Sequence, residues 1–312
     1  MLFNSLEFLF FFPITVIVYF VLPSKVRNLE LLIMSYLFYM GWNAKYSLLL
    51  LTVTGTTYLS GLVLEKARRQ RMKKICLAIC IAVNLGLLCF FKYGNFIVDN
   101  LNKLTGGSFS ALNVLLPVGI SFYIFQAIGY VADVYRGVLK AERSFVTYAL
   151  FVAFFPQLVA GPIERSTNLI RQLKEKHSFD YNRVREGLLL MLWGLFQKLV
   201  IADRAAILVD QVFNNFTYYI GVCRALAAVC FAVQIYCDFS GYSNIAVGAA
   251  RVMGFSLLNN FDSPYFAVSV KDFWRRWHIS LSQWFRDYVY IPWGETAAPE
   301  AKNIGILCVH SC

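Results

Sequence analysis

Histidine is almost absent from this chain, and charge of either sign is scarce. Three of its 312 residues are histidine and 15% are charged, against roughly a quarter charged in soluble globular domains. So little charge cannot cover a soluble surface, and the apolar residues, 58% of the chain, come in blocks too long for a soluble core helix. Lipid is the simplest solvent for such a surface. Disulfide spacing is missing as well. Cys76, Cys80 and Cys89 share one apolar run, and Cys223, Cys230 and Cys237 recur every seven residues along another. That spacing puts the trio on one helical face, as small residues packing a seam. Metal ligation would want histidine or acidic partners near the cysteines, and with only three histidines no metal centre is expected. A basic stripe with spaced aromatics is also lacking, so the formal charge of +11 does not signal nucleic acid. No internal repeat, low-complexity tract or linker divides the chain.

What is present is a series of apolar blocks, over about 6–22, 29–42, 46–64, 75–91, 112–135, 145–160, 187–202 and 222–239, with a weaker one at 245–258. They predict an all-α fold, a polytopic transmembrane bundle of eight or nine helices with re-entrant and interfacial pieces. No Lys or Arg precedes the first block, and Leu22-Pro23-Ser24-Lys25 is no cleavage site, so the block reads as a retained span. Block 29–42 is short for a span of about 20 residues.

Loop charge then orients the bundle. Lys25 and Arg27 follow the first block, and Arg68, Arg69, Arg71, Lys73 and Lys74 follow the third. The positive-inside rule makes both loops cytoplasmic, with the N-terminus outside. Arg136, Lys140 and Arg143 agree. The rule then breaks, because block 145–160 should cross outward yet is followed by Arg165, Arg171, Lys174, Lys176, Arg183 and Arg185. Pro156 and Gly161-Pro162 interrupt that block, and broken backbone at membrane depth survives only where protein buries it or it lines a cavity. A re-entrant segment resolves the conflict; an amphipathic helix on the outer face is the other solution.

Polar groups inside spans are costly and mark function by default. Three constellations qualify. The first is Phe155-Pro156-Gln157-Leu158-Val159-Ala160-Gly161-Pro162, with Gln157 at the break. The second runs from Gln234 to Asn244 and carries Gln234, Tyr236, Asp238, Ser240 and Tyr242. An ionised Asp238 there needs a cation or several donors; the plainer reading is a helix-end cap before Gly241. The third covers 271–292, including Phe273-Trp274-Arg275-Arg276-Trp277-His278. On one helix Trp274, Trp277, Leu281 and Trp284 would share a face, as in an interfacial helix with aromatic anchors. That reading leaves His278 unexplained, and an imidazole beside two cations suits proton acceptance. His177 reads as a solvated loop residue and His310 as frayed.

These segments resemble the hallmark stretches of membrane-bound O-acyltransferases, above all the bacterial alginate O-acetyltransferase branch with its peptidoglycan O-acetylating relatives. Phe91-Lys92-Tyr93, Leu116-Pro117-Val118-Gly119, Gly194-Leu195-Phe196-Gln197-Lys198 and Ile201-Ala202-Asp203-Arg204 fit the same branch, in register to about Pro292. The resemblance implies a multi-pass protein of the bacterial cytoplasmic (inner) membrane. It implies acyl transfer from a cytoplasmic donor, acetyl-coenzyme A or an acyl-carrier protein, with no bound cofactor. The acceptor is an extracytoplasmic cell-envelope polysaccharide, reached through a partner periplasmic or extracellular acetyltransferase. Membrane lipid surrounds the chain, and nucleic acid plays no part. The family carries two histidines, and His278 matches the first; Gln157, Gln234, Tyr236, Asp238, Ser240, Tyr242, Arg275 and Arg276 would line the substrate tunnel.

Two departures stand out. Asn244 occupies a position where an acidic residue is common. After Pro292 the similarity stops, which divides the chain into a membrane domain, 1–292, and a divergent tail, 293–312. The tail lacks the family's second, Trp-His-Gly segment, so a frameshift or early end with impaired turnover is expected. Transfer of D-alanine to teichoic acid is the neighbouring enzyme reading. A transporter or flippase is the non-enzymatic one, and it predicts inverted repeats that the sequence does not display.

Overall fold

The computed structural model describes residues 1–107, 109–112 and 114–292. The tail 293–312, with His310, lies outside the described residues. Among the described residues every regular element is helical. The chain runs α1 (Leu6–Val21), α2 (Ser24–Met40), α3 (Tyr46–Lys66), α4 (Gln70–Thr105), α5 (Ile120–Arg136), α6 (Phe145–Ala153) and α7 (Phe155–Leu158). It continues with α8 (Ser166–Lys174), α9 (Tyr181–Phe196), α10 (Asp203–Asn214), α11 (Gly221–Met253), α12 (Val270–Arg276) and α13 (Ile279–Phe285). Helices α3, α4 and α11 are long and apolar enough to cross a membrane, while α1 and the apolar stretch Phe145–Leu158 are shorter.

Several expected boundaries move, each for a local reason. Block 29–42 gains a turn and a half at its start, because Pro23 is the N-cap of α2 and Ser24 opens the helix. Block 112–135 becomes helical only at Ile120, since Gly119 takes φ +73°, a left-handed conformation that stops a helix extending backwards. Blocks 222–239 and 245–258 are one 33-residue helix, α11, so Asp238 is no cap. The 271–292 stretch is not one helix: His278, at φ +44°, separates α12 from α13. Trp274 and Trp284 therefore lie on different helices.

Helices α9 and α11 pack antiparallel through bare backbone. A Cβ on Gly194 would lie 2.5 Å from the Gly241 carbonyl oxygen, and one on Gly187 would lie 2.8 Å from that of Gly248. Both pairs are about two turns apart on their helices, so one glycine seam holds the crossing. The cysteine trio does not form it: Cys237 is buried, but Cys223 is exposed.

Segment 145–158 is broken at Phe154 and buried from Thr147 onward. The break leaves the Phe151 carbonyl without its helical partner. Two amides replace it, Gln126 Nε2 at 2.6 Å and Gln157 Nε2 at 2.8 Å, while Ser35 Oγ accepts the Phe155 N–H. The segment also ends where it began. Glu142, just before α6, pairs with Lys174 at the end of α8 at 2.5 Å. Asn28 donates to the Leu173 carbonyl and Arg27 to that of His177, so α8 returns to the end of the bundle that carries Arg27.

Residues 255–290 make a second excursion. It leaves from Phe255, which packs on Tyr19 and His177, and reaches Tyr265, whose hydroxyl donates to the Ala232 carbonyl. It comes back through α12 and α13 to Asp287 and Tyr288, beside Arg136 and Asp133.

Candidate active site

The two excursions meet where the backbone is broken. The Ile163 N–H, past the end of α7, donates to Ser280 Oγ at 3.0 Å, and Ser280 Oγ donates to Asn260 Oδ1 at 2.6 Å. The Ile279 N–H donates to the Asn260 carbonyl. Alongside, Gly119 touches the Leu158 carbonyl so closely that any Cβ there would collide with it. Three interruptions of helix, at Gly119, at Val159–Ile163 and at His278, are thereby brought together.

His278 sits half-buried at this junction. Its ring lies 4.7 Å from Phe239 of α11, edge to face, and 6.2 Å from Phe122 of α5, stacked. The first, second and third constellations thus supply the Ile163 flank, Phe239 and His278.

Asp238 takes a different side. Residues adjacent in a helix stand about 100° apart around its axis, so Asp238 faces away from the Phe239 contact. It pairs instead with Lys198, Nζ to Oδ1 at 2.6 Å. Lys198 reaches a second carboxylate, Asp203, at 2.7 Å and lies 5.5 Å from the Tyr242 ring. The cation Asp238 needed is therefore a lysine set on the π-helical turn Gln197–Ala202. Lys198 and Asp203 were not among the residues singled out from sequence, although charges inside an apolar block were the available signal.

The remaining candidates scatter around these groups. Gln157 serves the broken end of α6. Ser240 is buried and accepts from Asn244, which also donates to Gln197 Oε1 at 2.7 Å; an acid at 244 could not make that donation. Tyr242 donates to Asn4. Tyr236 packs its ring against Phe261, Tyr265 and Trp277. Gln234 is half-buried, with Oε1 in no hydrogen bond among the described residues. Arg275 and Arg276 both bind Asp272, at 2.7 and 3.0 Å. The hydrogen bond from Arg276 holds the Asp272 carboxyl below its usual range.

A polar ladder that sequence reading passed over fastens the junction. Glu164, just before α8, and Asn168 and Gln172 on α8 recur every fourth residue. Glu164 accepts from the Leu258 N–H and from Asn168, and Gln172 both donates to and accepts from the Ser256 backbone. Burial pushes the Glu164 carboxyl up from its ordinary range. Asp133 accepts from Ser166 and from Tyr288, whose hydroxyl is pushed up by burial and by that carboxylate. His177, far from being solvated, binds the Gln172 carbonyl at 2.9 Å and packs 4.6 Å from Phe255. The arrangement offers one imidazole, in an aromatic seat, where protein rather than lipid surrounds the broken backbone. An imidazole so placed can take and return a proton.

Comparison with known proteins adds the family. The profile of the membrane-bound O-acyltransferase (MBOAT) family matches residues 139–305. The chain is 42% identical over 301 residues to the probable alginate O-acetylase AlgI of Pseudomonas putida, covering 94% of this chain and 61% of that protein. It is 35% identical over 332 residues to the peptidoglycan O-acetyltransferase of Helicobacter pylori, covering 96% and 63%. With the teichoic acid D-alanyltransferase of Streptococcus thermophilus it shares 31% over 208 residues, covering 62% and 48%. The chain thus spans about three-fifths of the length of the first two relatives.

Proposed function

Because this chain belongs to the membrane-bound O-acyltransferase family, we propose that it acts in transfer of an acetyl group to a hydroxyl of a cell-envelope polysaccharide. The donor is a cytoplasmic thioester, acetyl-coenzyme A or an acyl-carrier protein, and the acceptor lies outside the cytoplasmic membrane. A partner acetyltransferase on that side completes delivery. The observation that carries this reading is the convergence of three helix breaks on His278. Broken backbone at membrane depth is costly unless it builds a path or a site.

The chemistry asked of the site is modest. The acceptor oxygen forms a bond to the thioester carbonyl carbon while the C–S bond breaks. The proton leaving the hydroxyl ends on the departing thiolate. A positioned base shortens this route by about a hundred- to ten-thousand-fold. His278 is the residue we assign to that proton. Gln157, Gln234, Tyr236, Ser240, Tyr242, Arg275 and Arg276 remain assigned to the walls of the path. Asp238 is assigned to holding α11.

In this reading 145–160 is re-entrant, the basic stretch that follows it lies on the cytoplasmic side and the N-terminus lies outside. The pairing of Glu142 with Lys174, and of Arg27 with the His177 carbonyl, supports that orientation. Transfer of D-alanine to teichoic acid differs in both acyl group and acceptor, and the higher identities to acetylating relatives favour acetyl. The test is transfer of label from radioactive acetyl-coenzyme A to a polysaccharide acceptor by the purified chain in lipid nanodiscs, with and without a partner acetyltransferase. Labelling that is lost in His278→Ala supports the assignment. Equal labelling by that variant overturns His278 as the base, and label passed from a D-alanyl donor but from no acetyl donor overturns the acetyl reading.

A further inference from the structure

The glycine seam sets how close α9 and α11 come, but it cannot set how they are turned. Met191, Ile245 and Val252 sit against the glycines, but apolar contacts of this kind specify a rotation only weakly. Something else must fix the azimuth of α11, because one residue along from Asp238 is Phe239, the ring on which His278 rests.

We infer that Lys198 is a positioning residue that locks the rotation of α11 and so seats His278 against Phe239. Lys198 is the one described side chain that ties α10, through Asp203, and α11, through Asp238, to the same atom. Its side chain is mostly buried, at 16% exposure, and its backbone crosses directly over Gly241, 3.1 Å from where a Cβ there would stand. The π-helical turn is what makes this possible. An extra residue in the turn rotates Lys198 toward α11, and such turns occur mostly as single insertions at functional places. Gln197 in the same turn adds a second tether, accepting from Asn244 at 2.7 Å. Only the ammonium is mostly buried, while Asp203 and Asp238 keep 42% and 47% of their side-chain surface open, so the pairs contribute little to stability by themselves. An ion pair specifies one register, which apolar packing does not. This role builds on the proposed place of His278 in the site and does not require acyl transfer to be observed.

The test reads His278 directly. The full chain in nanodiscs is treated with diethylpyrocarbonate, which modifies imidazole nitrogens, and mass spectrometry follows His278 and His177 separately. His177 packs at the far end of α11, against Gly254 and Phe255, and serves as the internal control. In Lys198→Met the modification rate of His278 rises roughly tenfold while that of His177 is unchanged, as expected for local opening. Lys198→Arg keeps a cation between the two carboxylates and stays within about twofold of the parent. Phe239→Leu raises the His278 rate as Lys198→Met does, and the double variant adds little, because both act through one contact. If Lys198→Met does not insert, Asp238→Asn is judged by the same criterion. An unchanged His278 rate, or an equal rise at His177, overturns the inference. Neither outcome depends on transferase activity, so failure here and failure of the acetyl-transfer reading remain separate results.

Discussion

Two regions of this molecule solve the same problem in opposite ways. The long antiparallel arm, α9 and α10 against α11, is held by what its side chains lack. Glycine lets two backbones touch, and the exposed Leu192, Trp193, Val222 and Val229 are left for lipid. The short-helix interior is held by what its side chains carry. Helices α1 and α2, 16 and 17 residues, are about 25 Å long, and the broken α6–α7 segment lies buried beside them. There Phe38 packs 5.6 Å from Phe155, Tyr130 packs 4.5 Å from Tyr148, and the Tyr148 hydroxyl donates to Thr57 at 2.7 Å. Burying apolar surface gains little between helices already in lipid, so close approach and hydrogen bonds must do the holding. The arm uses the first and the interior the second. His278 lies where the two regions meet, with Phe239 from one and Phe122 from the other.

The sharpest way to break the contrast is to give the arm a side chain. Gly194→Leu places carbon within 2.5 Å of the Gly241 carbonyl oxygen, a backbone atom that cannot swing away. Overpacking typically costs about 1–3 kcal/mol, and a rigid backbone obstacle puts this variant at or beyond about 3 kcal/mol. Thermal unfolding in detergent, read by loss of the monodisperse peak, checks it. A variant as stable as the parent would mean that the arm does not depend on its seam.

The interior should answer to polar deletions instead. Gln126→Leu and Gln157→Leu each leave the other amide on the Phe151 carbonyl, and each should cost about 1 kcal/mol. Together they leave a buried carbonyl unpaired, and the double variant should lose more than the sum of the two, by about 1–3 kcal/mol. Strict additivity in a double-mutant cycle would count against the shared acceptor.

How much of this was readable in advance follows the same division. The apolar blocks, their loop charges and the break at Pro156 announced the helices and the anomaly in 145–160, because length and composition decide such features. His278 was legible as the one side chain its amphipathic surroundings did not explain. The continuity of α11 was not, since Ser240 and Gly241 look like a stop until Gly194 is seen to need that glycine. Nor was Lys198, because a cation in an apolar block has no visible partner until two helices forty residues apart in sequence are laid side by side. The left-handed His278 likewise depends on Asn260 and Ser280 holding the turn. Local pattern fixes elements; contacts made at long range fix where they break.

The smallest expected effect lies on the ladder that binds the two excursions together, and its sign can be worked out. Burial raises the Glu164 carboxyl, outweighing the hydrogen bonds from Leu258 and Asn168 that favour its ionised form. For an acid raised on folding, the protonated form is the one the fold prefers. Its stabilising contribution is therefore complete below the unfolded-state value and is lost as pH rises through the folded one. The parent should lose stability as pH rises above the usual carboxylate range, with a slope of at most one proton, about 1.4 kcal/mol per pH unit. Glu164→Gln keeps an oxygen for the Leu258 N–H but cannot ionise, so its own curve should be flatter. It should be slightly less stable than the parent at the acid end, where it lacks the better acceptor for Asn168. At the alkaline end it should be the more stable of the two, because it escapes the cost of a buried charge. Thermal unfolding from that range upward, in a detergent whose headgroup does not titrate, should give two curves that cross. Parallel curves would mean that Glu164 stays ionised throughout, and that its two donors, rather than its burial, set its charge.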